Sequence, residues 1–297
     1  MSKVAGKWQK VEWQPVIAGL TRDIPLYCFI GKSAMIPGND PVFIFPGYGE
    51  ERISIPTAVN TLEKRGIASI GVNLPDTFLR DKAILELSSR EAPVAVAQSF
   101  NEIAGKAPDA KVDVVGHSKG AGVLLVAGRE APERFGALGL IGPIGVTNEY
   151  LGRSTNARIL NYFWRLGVLN NLEPDHNPLK DRGNLVSFYE VATRIGKDVV
   201  RGTLKTKLDL AFDLNLAENI RQLSKDHPLR LFLGTGDRLF TLEEYRKAMG
   251  EDTYNDCVEE VIGSHSPITN RVGRQHIALA GDWIKAVRTE RDQEVMK

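Results

Sequence analysis

Short, almost wholly apolar runs alternate along the chain with longer stretches whose apolar residues recur every three or four positions. The first pattern suits strands buried on both faces of a parallel sheet, the second helices with one face on a core. Residues 41–45, 67–72, 111–115, 137–142, 229–233 and 257–262 are the apolar runs. Between the first two, residues 54–65 place Ile55, Val59 and Leu62 at helical spacing and stop at Gly66, a helix C-terminal signal. Residues 81–104 are helical in pattern, with Pro93 suited to open a second helix from its first turn. Further helices are expected after residue 118, over 242–249 and over 274–289, the last packing through Ile277, Leu279, Trp283 and Ile284. The charged residues 290–297 are expected to fray. At the start, the β-prone residues 8–18 and 24–30 flank a turn composition, Gly19 to Asp23, and predict an antiparallel pair.

The alternation predicts an α/β fold, a mostly parallel sheet with helices on both faces. It breaks near residue 148. From there to 226 only helix-like pieces occur, at 157–169, 184–200 and 206–225, and Tyr162, Phe163, Trp164, Phe188, Tyr189 and Phe212 are spread through them. Extra helical core is the plain explanation. The position of the break, inside an established strand–helix rhythm, favours a lid over a site. The expected organisation is therefore a core of residues 1–147 and 227–297 with a helical cap at 148–226.

Composition narrows the function classes. A chain of 297 residues with 42% hydrophobic and 25% charged residues is that of an ordinary globular protein with a sizeable core. A net charge of +1 and the lack of a basic patch with interleaved aromatics argue against a nucleic-acid partner. The N-terminal residues lack the apolar core of a signal peptide, and no stretch approaches the ~18 apolar residues of a membrane span, so a cytoplasmic location is the default expectation. Cys28 and Cys257 indicate neither a disulfide framework nor a metal site. Gly31-Lys32-Ser33 resembles the end of a phosphate loop, but Leu26 stands where that motif needs glycine. No cofactor and no metal are expected.

Chemistry concentrates where strands end. Residues 111–115 meet Gly116-His117-Ser118-Lys119-Gly120, and an apolar helix-like run follows at once. Strand, sharp turn and helix with a serine at the tip make a nucleophile elbow. A serine needs a base to take its proton and an acid to orient that base. Asp237 follows the run 229–233, and His265 follows the run 257–262. Loops after parallel strands share one sheet edge, so Ser118, Asp237 and His265 can converge. His276, eleven positions beyond His265, is the rival base. His117 reads as a packed neighbour of the serine, His176 and His227 as surface residues near prolines, and Asp209 and Asp213 as helix-face charges.

On these motifs, with Gly234-Thr235-Gly236-Asp237 and Gly263-Ser264-His265, the chain resembles α/β-hydrolase-fold enzymes with a helical cap over residues 25–289. The resemblance implies that Pro46-Gly47-Tyr48 takes the place of the family's His-Gly-x turn. The backbone N–H groups of Tyr48 and Lys119 would then form the oxyanion hole. Pro46 replaces the usual histidine, and Asn73-Leu74-Pro75-Asp76 stands where many members carry Asp-x-x-Gly. The Lys119 side chain either reaches solvent or attracts an anionic substrate. A serine nucleophile argues against the haloalkane and epoxide branches, which use aspartate. What is implied is a serine hydrolase acting on a carboxylic ester, and the aromatics of the expected cap suggest an apolar lining and with it a partly apolar acyl or alcohol group. A thioesterase, a C–C bond hydrolase, and a ligand-binding or receptor protein with slow turnover or none are the alternatives.

Overall fold

The computed structural model describes residues 6–13, 24–36, 38–50, 52–73, 110–147, 154, 157, 160–161, 164–165, 182–202, 204 and 216–295. Eight strands, β1 (Gly6–Trp13), β2 (Ile24–Gly31), β3 (Val42–Phe45), β4 (Ser69–Asn73), β5 (Val112–His117), β6 (Phe135–Ile141), β7 (Leu229–Gly234) and β8 (Val258–Val261), form one sheet in the order β1-β2-β4-β3-β5-β6-β7-β8. β1 pairs antiparallel with β2, and β2 with β4. Every pairing from β4 to β8 is parallel. The second half of the expected strand 8–18, the turn after it and the helical pattern at 81–104 lie outside the described residues.

The α-helices that bear on the core and the site are α1 (Ser54–Glu63), α2 (Lys119–Glu130), α3 (Arg182–Val200), α4 (Ala217–Asp226), α5 (Leu242–Met249), α6 (Glu251–Cys257) and α7 (Arg271–Val295). Because successive strand side chains point to opposite faces, β3 feeds two cores. Phe43 and Phe45 join Leu124, Leu140, Leu231 and Tyr245 on one face. Val42 and Ile44 join Ile55, Leu62, Ile277 and Ile284 on the other. The central strands are buried on both faces, which explains their unbroken apolar sequence.

Helix α4, part of the stretch read as an insertion, packs on α2 and sends Leu216, Ala217, Ile220 and Leu223 into the main core. Two details near the C-terminus have local causes. Residues 251–257 look polar in sequence, yet Tyr254 and Cys257, three positions apart, share the buried face of a short helix. The closing helix continues to Val295 instead of fraying after 289. Asp113 at the head of β5 holds it: Oδ2 accepts from Arg288 Nε at 2.6 Å and from Arg291 at 3.0 Å, while Oδ1 accepts the Ala137 N–H at 2.7 Å. Helix α5 opens with a capping box between Thr241 and Glu244. No helix among the described residues is long and apolar enough to cross a membrane.

Candidate active site

The loops after β3, β5, β6, β7 and β8 gather on the sheet edge where the parallel strands end, and three of them carry the sequence-nominated side chains. β5 ends at His117 and α2 begins at Lys119, so Ser118 alone makes the turn. Its φ of 49° and ψ of −112° make it the one non-glycine residue with positive φ among those described. Such a conformation costs about 1–3 kcal/mol and persists only where its surroundings fix it. Here the Ser118 N–H donates to Ile141 O at 2.8 Å, and its carbonyl accepts from Gly122 and Ile144 N–H. The turn also needs a bare position at 120. A Cβ on Gly120 would lie 2.1 Å from Phe45 O and 2.6 Å from Pro46 O.

His265 follows β8, and its Nε2 lies 3.0 Å from Ser118 Oγ. Its Nδ1 lies 3.0 Å from Asp237 Oδ2. Asp237 follows β7, and its other oxygen accepts the Leu239 and Phe240 N–H groups, each at 2.8 Å. Phe240 meets the His265 ring edge-on, with centroids 5.3 Å apart. Gly142, at φ +49°, leaves room for that ring, since a Cβ there would stand 2.9 Å from His265 Nδ1. With its carboxylate side fixed by two backbone donors, Asp237 presents one oxygen to His265 Nδ1, and His265 presents Nε2 to the hydroxyl. Serine, imidazole and carboxylate thus form one chain of hydrogen bonds, able to deprotonate a hydroxyl and stabilise the imidazolium that results.

The rival His276 sits elsewhere. It is buried in α7, its Nε2 donates to Ile262 O at 3.2 Å, and burial lowers its pKa. His227, expected at the surface, is half-buried, and burial lowers its pKa as well. His176, Asp209 and Asp213 lie outside the described residues. No cluster of three or more metal-ligating side chains occurs among the described residues.

A buried carboxylate absent from the sequence reading lies beneath the elbow. Glu50, 3% exposed, closes the loop after β3. Its Oε2 accepts the Gly47 N–H at 2.7 Å and lies 2.6 Å from His117 Nδ1; its Oε1 accepts the Ile268 N–H at 2.8 Å. Burial pushes the Glu50 carboxyl up, but the His117 charge, its hydrogen bond and the two backbone N–H groups outweigh that, leaving its pKa below the ordinary carboxylate range. The His117 ring in turn stacks on the His265 ring at 5.4 Å. The only sequence hint was an acidic residue just past an apolar strand, a feature shared by many surface loops.

The Pro46–Gly49 turn abuts the serine, since a Cβ on Gly47 would lie 3.2 Å from Ser118 Cβ. Lys119 is half-buried. Helix α3 lies across these loops. Tyr48 donates its hydroxyl to Asp198 Oδ2 at 2.7 Å, and Arg194 Nε donates to the same oxygen at 3.0 Å. Glu190 accepts from Ile53 N and Ser54 Oγ, placing a carboxylate at the start of α1. Thr269 Oγ1 donates to Gly183 O, and Asn270 Nδ2 to Asn184 Oδ1. Arg165 binds both Glu244 oxygens and Leu239 O, next to Asp237. Two of the aromatics counted toward an apolar lining, Trp164 and Tyr189, are instead exposed, at 58% and 70%. The side chains of Tyr162, Phe163, Phe188 and Phe212 lie outside the described residues.

No protein-family model and no curated protein sequence matches the chain. Solved structures do. An epoxide hydrolase from Vigna radiata is 15% identical, with a TM-score of 0.56 over 95% of this chain and 99% of that one. An esterase from Pyrococcus furiosus is 16% identical, with a TM-score of 0.56 over 95% and 92%. Carboxyl esterase 2 from Tuber melanosporum is 14% identical, with a TM-score of 0.56 over 96% and 87%. The chain has the α/β-hydrolase fold.

Proposed function

We propose that this protein is a cofactor-independent serine hydrolase that cleaves a carboxylic ester. The observation that carries the reading is the imidazole of His265 with one nitrogen 3.0 Å from Ser118 Oγ and the other 3.0 Å from Asp237 Oδ2. Ser118 Oγ attacks the ester carbonyl carbon as His265 Nε2 takes its proton. Asp237 holds the Nδ1–H tautomer and stabilises the imidazolium. The imidazolium then protonates the departing alkoxide as the carbonyl reforms on an acyl-serine. Water, deprotonated by the same nitrogen, attacks the acyl carbon and releases the acid, and the proton returns to Ser118.

The tetrahedral oxyanion is assigned to the backbone N–H groups of Tyr48 and Lys119, because the turn holding one abuts the turn holding the other. Loss of one such donor typically costs a hundred-fold or more in rate. Residues 148–226 are assigned as the cap, with α3 across the site entrance and α4 seated on the core. The esterases among the fold's neighbours favour acyl transfer, and Ser118 in place of the aspartate nucleophile separates this chain from epoxide chemistry. Thioester and C–C bond substrates fit the same residues and are the nearest alternatives within this chemistry.

A series of 4-nitrophenyl esters from acetate to octanoate tests the reading. The expected result is a burst of one nitrophenol per chain followed by slower steady release, with no added metal or cofactor. Binding of these esters without any nitrophenol release would instead mark a ligand-binding protein on the same fold.

A further inference from the structure

Glu50 is a charge buried where an apolar side chain would be cheaper. Desolvating a carboxylate costs several kcal/mol, and only good donors offset that. Its three donors come from three separate segments, two loops and the end of β5. Gly47 precedes Tyr48 in the turn after β3, His117 precedes Ser118 at the elbow, and Ile268 lies three positions past His265. A carboxylate held ionised only accepts hydrogen bonds, so His117 Nδ1 carries the proton and donates it to Glu50. That fixes the plane of the His117 ring, which stacks on the His265 ring with an interplanar angle of 28°.

We propose that Glu50 is a positioning residue for the hydrolysis assigned above. Its carboxylate ties the oxyanion turn, the elbow and the histidine loop into one arrangement, and acts through His117 on the lie of the His265 ring. The inference rests on that assignment. Core packing alone does not need a charge here, nor one whose acceptor contacts reach all three segments that carry the proposed reacting groups. Small displacements of a preorganised donor or base are costly in rate, which gives a residue of this kind its leverage.

Glu50→Gln tests it. Glutamine keeps the shape but offers one acceptor oxygen and an NH2, so at least one of the three donors is left facing another donor. Burst amplitude with 4-nitrophenyl acetate counts competent sites, and the acylation rate is then read per competent site. The expected result is a fall of roughly 10–100-fold in that rate, with KM within about threefold of wild type. His117→Gln, which leaves the Gly47 and Ile268 bonds in place, is expected to lose less. If Glu50→Gln fails to fold, the His117→Gln rate decides alone. Wild-type rates per competent site in both variants, with only fewer sites or a lower melting temperature, would reduce Glu50 to a structural group. A wild-type protein with no burst and no turnover would instead overturn the hydrolase reading itself, and this inference with it.

Discussion

Ser118→Ala and His265→Ala should each lower ester hydrolysis by on the order of 10⁵-fold, and the double variant should be no worse than either. The non-additivity follows from the geometry. His265 Nε2 has its acidic partner in Ser118 Oγ at 3.0 Å, so an imidazole without the hydroxyl has no proton to take, and a hydroxyl without the imidazole stays a poor nucleophile. Asp237→Asn should cost less, roughly 10⁴-fold, by presenting an amide where Nδ1–H needs an acceptor. Steady-state hydrolysis of 4-nitrophenyl butyrate, with far-UV circular dichroism to establish folding, measures all four variants. Additive losses would mean that serine and histidine work in separate steps and would break the proposed proton transfer.

Gly120→Ala carries the second large effect, on stability. Its new Cβ would stand 2.1 Å from Phe45 O and 2.5 Å from Phe45 C, far inside van der Waals contact. Both atoms belong to backbone at the end of β3, between β4 and β5, so the sheet cannot move aside without losing ladder bonds. The expected cost is about 3 kcal/mol or more, a fall of roughly 6–12 °C in melting temperature for a domain of this size. Gly196→Ala is the control. It sits in α3 with nothing within 4 Å of the added carbon, and should be neutral or slightly stabilising. Equal melting temperatures for the two variants would mean that the elbow tolerates a shifted α2. In that case Ser118 would not be as tightly fixed as its backbone conformation requires.

Much of this arrangement was legible in the sequence because burial leaves a simple trace. β3 and β6 are apolar throughout as both their faces are covered, and the first polar residues beyond such runs fall on the sheet edge. That is why Ser118, Asp237 and His265 could be nominated from their places after strands, although 147 residues separate Ser118 from His265. His276 could not be set aside by sequence, since only the fold puts its Nε2 against Ile262 O.

Glu50 was illegible for the opposite reason. A carboxylate after a strand usually faces water, and its burial depends on donors from Gly47, His117 and Ile268, the last 218 positions away. The partner of the last turns of α7 is likewise distant, since Arg288 reaches Asp113 175 positions before it. Two of the insertion's aromatics, Trp164 and Tyr189, face solvent, which was not legible because composition records apolar area and not direction.

The most direct test of the central claim is covalent labelling with a small fluorophosphonate, read by intact mass and peptide mapping. One phosphonyl adduct per wild-type chain is expected, mapped to Ser118, absent from Ser118→Ala and formed far more slowly in His265→Ala. Folded wild-type protein that takes no adduct, or an adduct that persists in Ser118→Ala, would contradict that claim.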